Sequence, residues 1–578
     1  MHELLQERFP EIAFLLTVEE GSSYAIFDIG GVYQNAIGPY GAFYQEDIKK
    51  ELLSLQDRVD LEQLTILYVY GLGLGTYYHA LRSWLHARQE RVLLFIEEDL
   101  SVLRTFLQSA HAQEILSDRQ VHLVYLPKSM SLSCFLDNSV KQWISDRVEW
   151  IALDSYAKSM SRKMRNARSM LLQKTSRIHV GMTELVQYPL LLKNLIANSR
   201  HLVHACHVNR WQGAFQGVPA ILCGAGTSLE SCLEYLPQVE HKALIVAGGS
   251  AITILGRHGI MPHIALALDP NEEEYERIRD SHLFEVPFLY SLRLHAEILS
   301  SCHVQSGYLY SETGGIFEAW LHDKLAIGHG SLGPELGIDA FSVTTLAVPL
   351  LRFLGCDPVL FCGIDLSYQN KKRYATGVLQ DVACQDPSDM RAMERLRHAK
   401  NTEGQSIYTL TKWLMEAECI GSYVQAHPSM RCFRASTIGL PIKGVSHCAL
   451  EDFVQRYCLD DIDLRARVHG VMETTRFPKE IQGALEQLLK TFYESLQRCL
   501  TLCNEVLSVI EKEGSESVLI HLLSLDIEEE DAYKYALAYP FQSLRLLIER
   551  QHSVSSEKAL LLWQARKKSI EIALSHFV

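Results

Sequence analysis

Three short segments carry the residue types that can do chemistry. Gly224-Ala-Gly-Thr-Ser228 follows the apolar run Val218–Cys223, and such a turn from strand to helix aims backbone N–H groups and the Ser228 hydroxyl at an anion. Asp269-Pro270 ends a second run, His263–Leu268, and Gly363-Ile-Asp365 ends a third, Pro358–Cys362. A carboxylate that follows a strand stands at the edge where open α/β sheets bind ligands. Loop capping by a short carboxylate places the same residues and competes with that reading. A further run, Ala243–Ala247, leads through Gly248-Gly-Ser250 into a helix, so Ser250 reaches the same predicted edge.

The elements that must position these residues come from a chain of 578 residues. At about 150 residues per domain, that length predicts three to four domains. With 47% hydrophobic and 21% charged residues the chain can bury several ordinary cores, which excludes disorder throughout. The net charge of −14 argues against sequence-independent binding along a nucleic-acid backbone. No basic leader opens the sequence. The longest apolar stretch, 344–364, is broken by Arg352 and Cys356-Asp357-Pro358, so no membrane span is expected. Fourteen cysteines without CxxC or zinc-ligand spacing point to a reduced, cytoplasmic protein, with Cys499 and Cys503 as core thiols.

An earlier segment has a similar plan. Ile66–Tyr70 enters Gly71-Leu-Gly-Leu-Gly75, a helical stretch follows, and Val92–Ile96 ends in Glu97-Glu98, the strand, glycine turn, helix and acidic strand end of a doubly wound sheet. Tight packing explains the same glycines without a cofactor. With runs at 121–126 and 150–153, this predicts an α/β domain over about 60–155 after a β-rich lead-in. Seven basic residues from Lys158 to Arg177, with no acidic residue among them, form either a solvated linker helix or one facing an anion. Beyond 451 apolar spacing is helical, as in Ile481, Leu485, Leu488, Leu489 and Phe492, with turns at 514–517 and at Tyr539-Pro540.

Cys223–Glu230, Ile245–Leu255, Gly259–Pro270, Ser342–Ala347 and Leu354–Tyr368, in this order, resemble the core of the motility-associated factor family of glycosyltransferases. The motifs are specific from about 218 to 445. The resemblance implies an α/β protein with a Rossmann-like amino-terminal domain (1–195), a central sialyltransferase-like domain (196–450) and an α-helical carboxyl-terminal domain (451–578) that holds an acceptor protein. It implies transfer of a nine-carbon acidic (nonulosonic) sugar from a CMP donor to Ser or Thr hydroxyls, as family members are implicated in doing for flagellin. Gly224, Ala225, Gly226, Thr227, Ser228, Ser250 and Gly363 would meet the donor nucleotide, and Asp269 and Asp365 the sugar or its ribose.

Departures from the family pattern leave the general base open. Thr227 replaces a usual Pro, Gly249 a polar residue that is often Asp, and His263 a frequent Asp. Tyr374 stands at a His position, and the segment around Thr437 has lost a Glu. His263, Tyr374 and His398 are the remaining candidates; a Tyr, titrating near ~10, more readily orients substrate than takes its proton. No metal is required, although the carboxylates could take Mg²⁺. Two alternatives stand beside transfer: an ATP-dependent pyrophosphokinase, after the related archaeal hydroxymethylpterin diphosphokinase, and a scaffold that kept the fold and lost activity.

Overall fold

The computed structural model describes residues 2–19, 21–30, 33–44, 51, 61–143, 145, 147–279, 285–302, 305–311, 313–332, 342–369, 372–378, 396–549 and 555–577. The chain divides into two compact units, Met1–Met182 and Thr183–Val578. No helix among the described residues is long and apolar enough to cross a membrane.

The first unit opens with helices His2–Arg8 and Pro10–Val18, not with strands. Leu5, Phe9, Ile12 and Ala13 recur at helical spacing and are buried, which corrects the expected β-rich start. A small antiparallel sheet follows: β1 (Ile26–Gly30), β2 (Tyr33–Gly38) and β3 (Gly41–Ala42). Then β4 (Ile66–Tyr70), β5 (Val92–Glu97), β6 (Val121–Tyr125) and β7 (Val148–Ala152) form a parallel sheet in the order β6-β5-β4-β7. These are the parallel strands of an α/β fold expected from the apolar runs, and β4 is buried along its whole length.

Its glycine loop is filled by the protein itself. The Tyr44 hydroxyl accepts from Leu74 N (2.8 Å) and Thr76 N (3.2 Å), and Glu97 accepts from Leu72 N (3.0 Å) and the Tyr156 hydroxyl. A Cβ at Gly73 would stand 2.6 Å from the Tyr44 oxygen, and one at Gly71 3.0 Å from the Tyr156 ring. The glycines thus admit aromatic side chains where a pyrophosphate would lie. Burial pushes the Glu97 carboxyl up to about 7, against its hydrogen bonds, so this acid is an internal strut.

The basic stretch lies on helices Asp154–Ser159 and Ser161–Ser199, and three of its seven cations are answered within its own unit, while Lys158, Arg162 and Arg165 are exposed. Lys163 pairs with Glu98 (2.6 Å), Arg168 with Glu149 (2.6 Å) and Lys174 with Asp137 (2.5 Å). The Arg177 side chain lies outside the described residues. Lys163 and Arg168 hold the helix to the sheet, and Lys174 holds it to helix Leu132–Gln142.

The second unit contains a nine-stranded parallel sheet. Its strands are β8 (Cys206–His207), β9 (Ala220–Cys223), β10 (Leu244–Gly248), β11 (Ile264–Ala267), β12 (Phe288–Tyr290), β13 (Ser306–Tyr308), β14 (Val359–Cys362), β17 (Cys432–Arg434) and β18 (Ser446–His447), ordered β18-β17-β14-β9-β10-β11-β12-β13-β8. A separate hairpin pairs β15 (Leu396–Lys400) with β16 (Ser406–Leu410). Side chains alternate across the central strands. Ile221, Ile245, Ala265 and Leu360 enter one core, while Leu222, Val246, Leu266 and Phe361 enter the other.

The carboxyl-terminal helices belong to the first of these cores. Leu485, Leu489, Phe492, Leu496, Cys499 and Cys503 of helix Ile481–Glu513 share it with the sheet, so the central and carboxyl-terminal parts expected as two domains make one compact unit. Burial pushes the Cys499 and Cys503 thiols up to about 12 and 11, as befits core thiols. The expected turn at Tyr539-Pro540 is instead helical. A π-helical turn, Tyr533–Leu537, runs directly into helix Ala538–Glu549, so Pro540 lies within a continuous helical run, just after the π-turn.

Tyr44→Phe removes the acceptor of two buried amides. It is expected to cost about 2–4 kcal/mol, read as an earlier unfolding transition of the full chain in urea.

Candidate active site at the carboxyl edge

From β9 the chain steps outward through β10 to β13, then returns to β14 on the other side of β9. The strand order therefore reverses between β9 and β14, the point where open sheets leave a crevice for ligands. Gly224–Ser228 and Gly363–Asp365 leave the sheet there, side by side.

Their contact is close. A Cβ at Gly224 would lie 2.6 Å from the Gly363 carbonyl oxygen, one at Gly363 would overlap the Gly224 carbonyl, and one at Gly226 would lie 2.6 Å from Asp365 Oδ2. Gly224 N donates to Cys362 O (2.8 Å) and Gly226 N to Gly363 O (2.7 Å). Asp365 is buried and accepts from Ser228 N (2.9 Å), Ser228 Oγ (2.5 Å) and Thr227 Oγ1 (3.4 Å). The buried Arg434 guanidinium lies within electrostatic reach of Asp365 and donates to Leu440 O (2.5 Å).

Two further loops dock on these joined turns. Leu440 N donates to Asp365 O (2.8 Å), with Gly439 against the Asp365 backbone, and Ala375 N donates to Ala225 O (2.9 Å). Thr376 N meets the Glu230 carboxylate (2.7 Å). The hydroxyl of Thr227 is thus used within the loop. Thr437, beside the missing Glu, bonds Glu403 from the β15–β16 turn (2.6 Å).

A second group gathers at the end of β11, roughly 10 Å across the sheet at the usual strand spacing. Asp269 is half-buried. Around it stand Glu274 from helix Glu272–Ile278, Glu416 from helix Thr411–Ala426, and Ser342, which caps helix Val343–Leu354. Ser342 Oγ donates to Glu416 (2.9 Å). Burial pushes the Glu274 carboxyl up to about 8 and Glu416 up to about 7, and the Asp269 charge adds to both. Arg277 opposes the first shift; Ser342, Lys412 and Arg373 oppose the second. Asp269 O accepts from His295 N (3.1 Å), and His295 Nε2 meets Glu272 (3.0 Å).

Gly249 and Ser250 lie between the two groups. Gly249 has φ +51, a left-handed conformation that Asp tolerates and Gly adopts freely, and a Cβ there would lie 3.1 Å from Glu274 Oε1. The absent side chain at 249 leaves room for a carboxylate arriving from the helix. Ser250 is buried ahead of helix Ala251–Arg257.

Other expected residues fall elsewhere. His263 precedes β11 and so stands at the opposite edge of the sheet from Asp269. It is buried, its Nδ1 accepts from Ile245 N (2.9 Å), and burial lowers its pKa to about 4, so it extends the strand ladder and is no base at the crevice. His398 is exposed on the hairpin, its ring 4.4 Å from Tyr408. Tyr374 is half-buried with the Arg373 guanidinium 4.9 Å over its ring. The helix expected after β9 is a six-residue 3₁₀ helix, Thr227–Cys232.

The residues that sequence reasoning missed are Glu274, Glu416, His295 and Arg434. Glu416 had a readable signal: with Trp413, Ile420 and Tyr423 it completes one apolar helical stripe, an odd place for a carboxylate. Glu274 shares a helical face with buried Ile278, but Glu272 and Glu273 beside it hide the distinction in sequence. Among the described residues no group of three or more His, Cys, Asp or Glu side chains is arranged to hold a metal ion.

Comparison with known proteins bears on this unit. Residues 193–371 match the family described as 6-hydroxymethylpterin diphosphokinase MptE-like, a segment that contains β8 to β14 and both groups' sheet-borne residues. The chain is also similar to the solved structure of the MAf glycosyltransferase from Magnetospirillum magneticum AMB-1, at 14% identity and a TM-score of 0.46 over 99% of this chain and 94% of that one. That score is too low to establish a shared fold. No curated protein matches the chain.

Two outcomes follow for the site. Asp365→Ala leaves the Ser228 donors and Arg434 without their buried partner and is expected to cost about 3–5 kcal/mol by chemical denaturation. Glu274 and Glu416 bind protons in the folded state that they release when unfolded above the ordinary carboxyl range. Their contribution is therefore full below about pH 4.5 and is lost as pH rises through about 7 and 8. Calorimetric Tm should fall across that window, and Glu274→Gln should flatten the fall.

Proposed function

We propose that the chain transfers a nonulosonic acid from its CMP-activated form to Ser or Thr hydroxyls of a protein, in the crevice at the carboxyl ends of β9, β10, β11 and β14. The observation that carries this reading is the convergence at that edge of the half-buried Asp269 with two carboxyls, Glu274 and Glu416, raised to about 8 and 7. The ordered motifs from 218 to 445 support it, and the family match over 193–371 falls on the same segment.

In this reading the acceptor oxygen attacks the anomeric carbon while the bond from that carbon to the CMP oxygen breaks. The departing phosphate keeps the electron pair, and the hydroxyl proton passes to the Asp269 carboxylate. Glu274 and Glu416, raised to about 8 and 7, carry less negative charge near neutral pH than ordinary carboxylates and so ease the charge facing Asp269. Arg373 and Lys412, within electrostatic reach of Glu416, supply the local positive potential that an acidic sugar and its phosphate need on a chain of net charge −14. Asp365, Thr227, Ser228 and the glycines at 224, 226 and 363 hold the crevice in shape. Tyr374, beside Arg373, orients the donor. The group separation of about 10 Å suits the nucleoside at one end and the reacting sugar, with the phosphate bonded to it, at the other. No step is routed through a metal.

The family match favours a second reading, pyrophosphoryl transfer from ATP to a small hydroxylated acceptor. Calorimetric titration separates the two. CMP and the CMP-sugar should bind without added Mg²⁺, and Asp269→Asn should cut transfer by about 10²–10⁴-fold with CMP affinity retained. Binding of Mg²⁺–ATP with release of AMP supports the kinase instead, and a folded chain that binds neither nucleotide sinks both and leaves the inactive scaffold.

A further inference from the structure

The helix Val518–Glu529 is apolar on two opposite faces. Ile520, Leu523 and Ile527 pack into the core of the second unit. On the other side Val518, Leu522 and Leu525, at i, i+4 and i+7, are 74%, 52% and 45% exposed, with Leu519 beside them at 42%. A helix that faces water on one side carries polar residues there, and a continuous apolar stripe in that place marks a surface that something covers.

The surroundings of the stripe specify what covers it. From Glu511 to Asp531 the chain has eight carboxylates and one lysine, a net −7, half the net charge of the whole protein. The carboxylates lie beyond both ends of the stripe: Glu511, Glu513 and Glu516 before it, and Asp526, Glu528, Glu529, Glu530 and Asp531 at its close. Alongside runs a groove of about 680 Å³ whose walls include Leu502, Arg498, Asp526, Glu529 and Asp531. Glu530 is held by Arg498 (2.7 Å) and Ser495 (2.6 Å), which neutralises that one acid. A second copy laid antiparallel on the stripe would set acids against acids at both ends, and an anionic membrane would meet the same repulsion.

We propose that this stripe and the acidic groove beside it form a docking surface for a basic amphipathic helix of another protein, its apolar side chains on Leu522 and Leu525 and its Lys or Arg residues in the groove. The surface is independent of the chemistry at the sheet edge.

The probe is a synthetic helical peptide with Leu at i, i+4 and i+7 and Lys on its flanks, titrated into the full chain by fluorescence anisotropy, with a peptide carrying Glu in place of Lys as control. The Lys peptide should bind at least about tenfold more tightly than the Glu peptide and lose affinity as salt is raised. Leu522→Ser with Leu525→Ser, and separately Asp526→Asn with Glu529→Gln, should each weaken it about tenfold at unchanged Tm, since all four side chains are exposed. Absence of binding, or binding that neither pair weakens, overturns the proposal. So does a dimer in sedimentation that Leu522→Ser with Leu525→Ser converts to monomer, because a second copy would then be the cover.

Discussion

The crevice of the second unit depends on one buried carboxylate. Where a parallel sheet reverses its strand order, two loops leave neighbouring strands at one point, and here those loops touch backbone to backbone at Gly224 and Gly363. Packing this close leaves Ser228 N and its hydroxyl without room for water, and Asp365 satisfies both while its charge faces Arg434. The segments around Ala375 and Leu440 then fasten to the joined loops. Remove the carboxylate and the inner wall of the crevice loses its common anchor.

That arrangement divides labour among the carboxylates. The Asp365 oxygens already serve the Ser228 and Thr227 donors, so this carboxylate is engaged within the loops. Asp269 is only half-buried, and its buried neighbours gain protons more easily because its charge is near. The two buried carboxyls, raised by burial and by the Asp269 charge, add less negative charge to this cluster than two exposed acids would. The cationic side of the same region comes from Arg373 and Lys412, whereas the basic run from Lys158 is occupied by Glu98, Glu149 and Asp137 of its own unit.

Much of the fold was legible because parallel strands buried on both faces read as unbroken apolar runs. Ile66–Tyr70, Ala220–Cys223, Ile264–Ala267 and Val359–Cys362 all lie within such runs. The first residues misled because Leu5, Phe9, Ile12 and Ala13 repeat over too short a span to outweigh the strands that follow. Asp269 and Asp365 were legible as strand-end carboxylates. Their different surroundings were not, since these depend on which donors from distant segments reach each oxygen. His263 misled for a related reason: a residue beside a strand reads alike at either end, and only strand direction places it at the opposite edge. Glu274 and Glu416 arrive from helices, where a core-facing acid differs from a solvated one only by phase.

The two parallel sheets also show why glycine spacing alone is a poor guide to a nucleotide. Both carry a strand, a glycine-rich turn and a helical segment. In the first unit the turn's amides meet the Tyr44 hydroxyl and Glu97, and its glycines make room for Tyr44 and Tyr156. In the second the amides of Gly224, Gly226 and Ser228 meet Cys362, Gly363 and Asp365. Neither set is held open for a phosphate. What separates the two turns is their neighbourhood: the first is closed over by aromatic side chains, and the second adjoins a half-buried carboxylate, two buried acids raised by burial, and side-chain cations. An anion that binds beside the second turn would therefore draw its attraction from Arg373 and Lys412 more than from the glycine loop, and the loop's part is to keep the wall against which it rests.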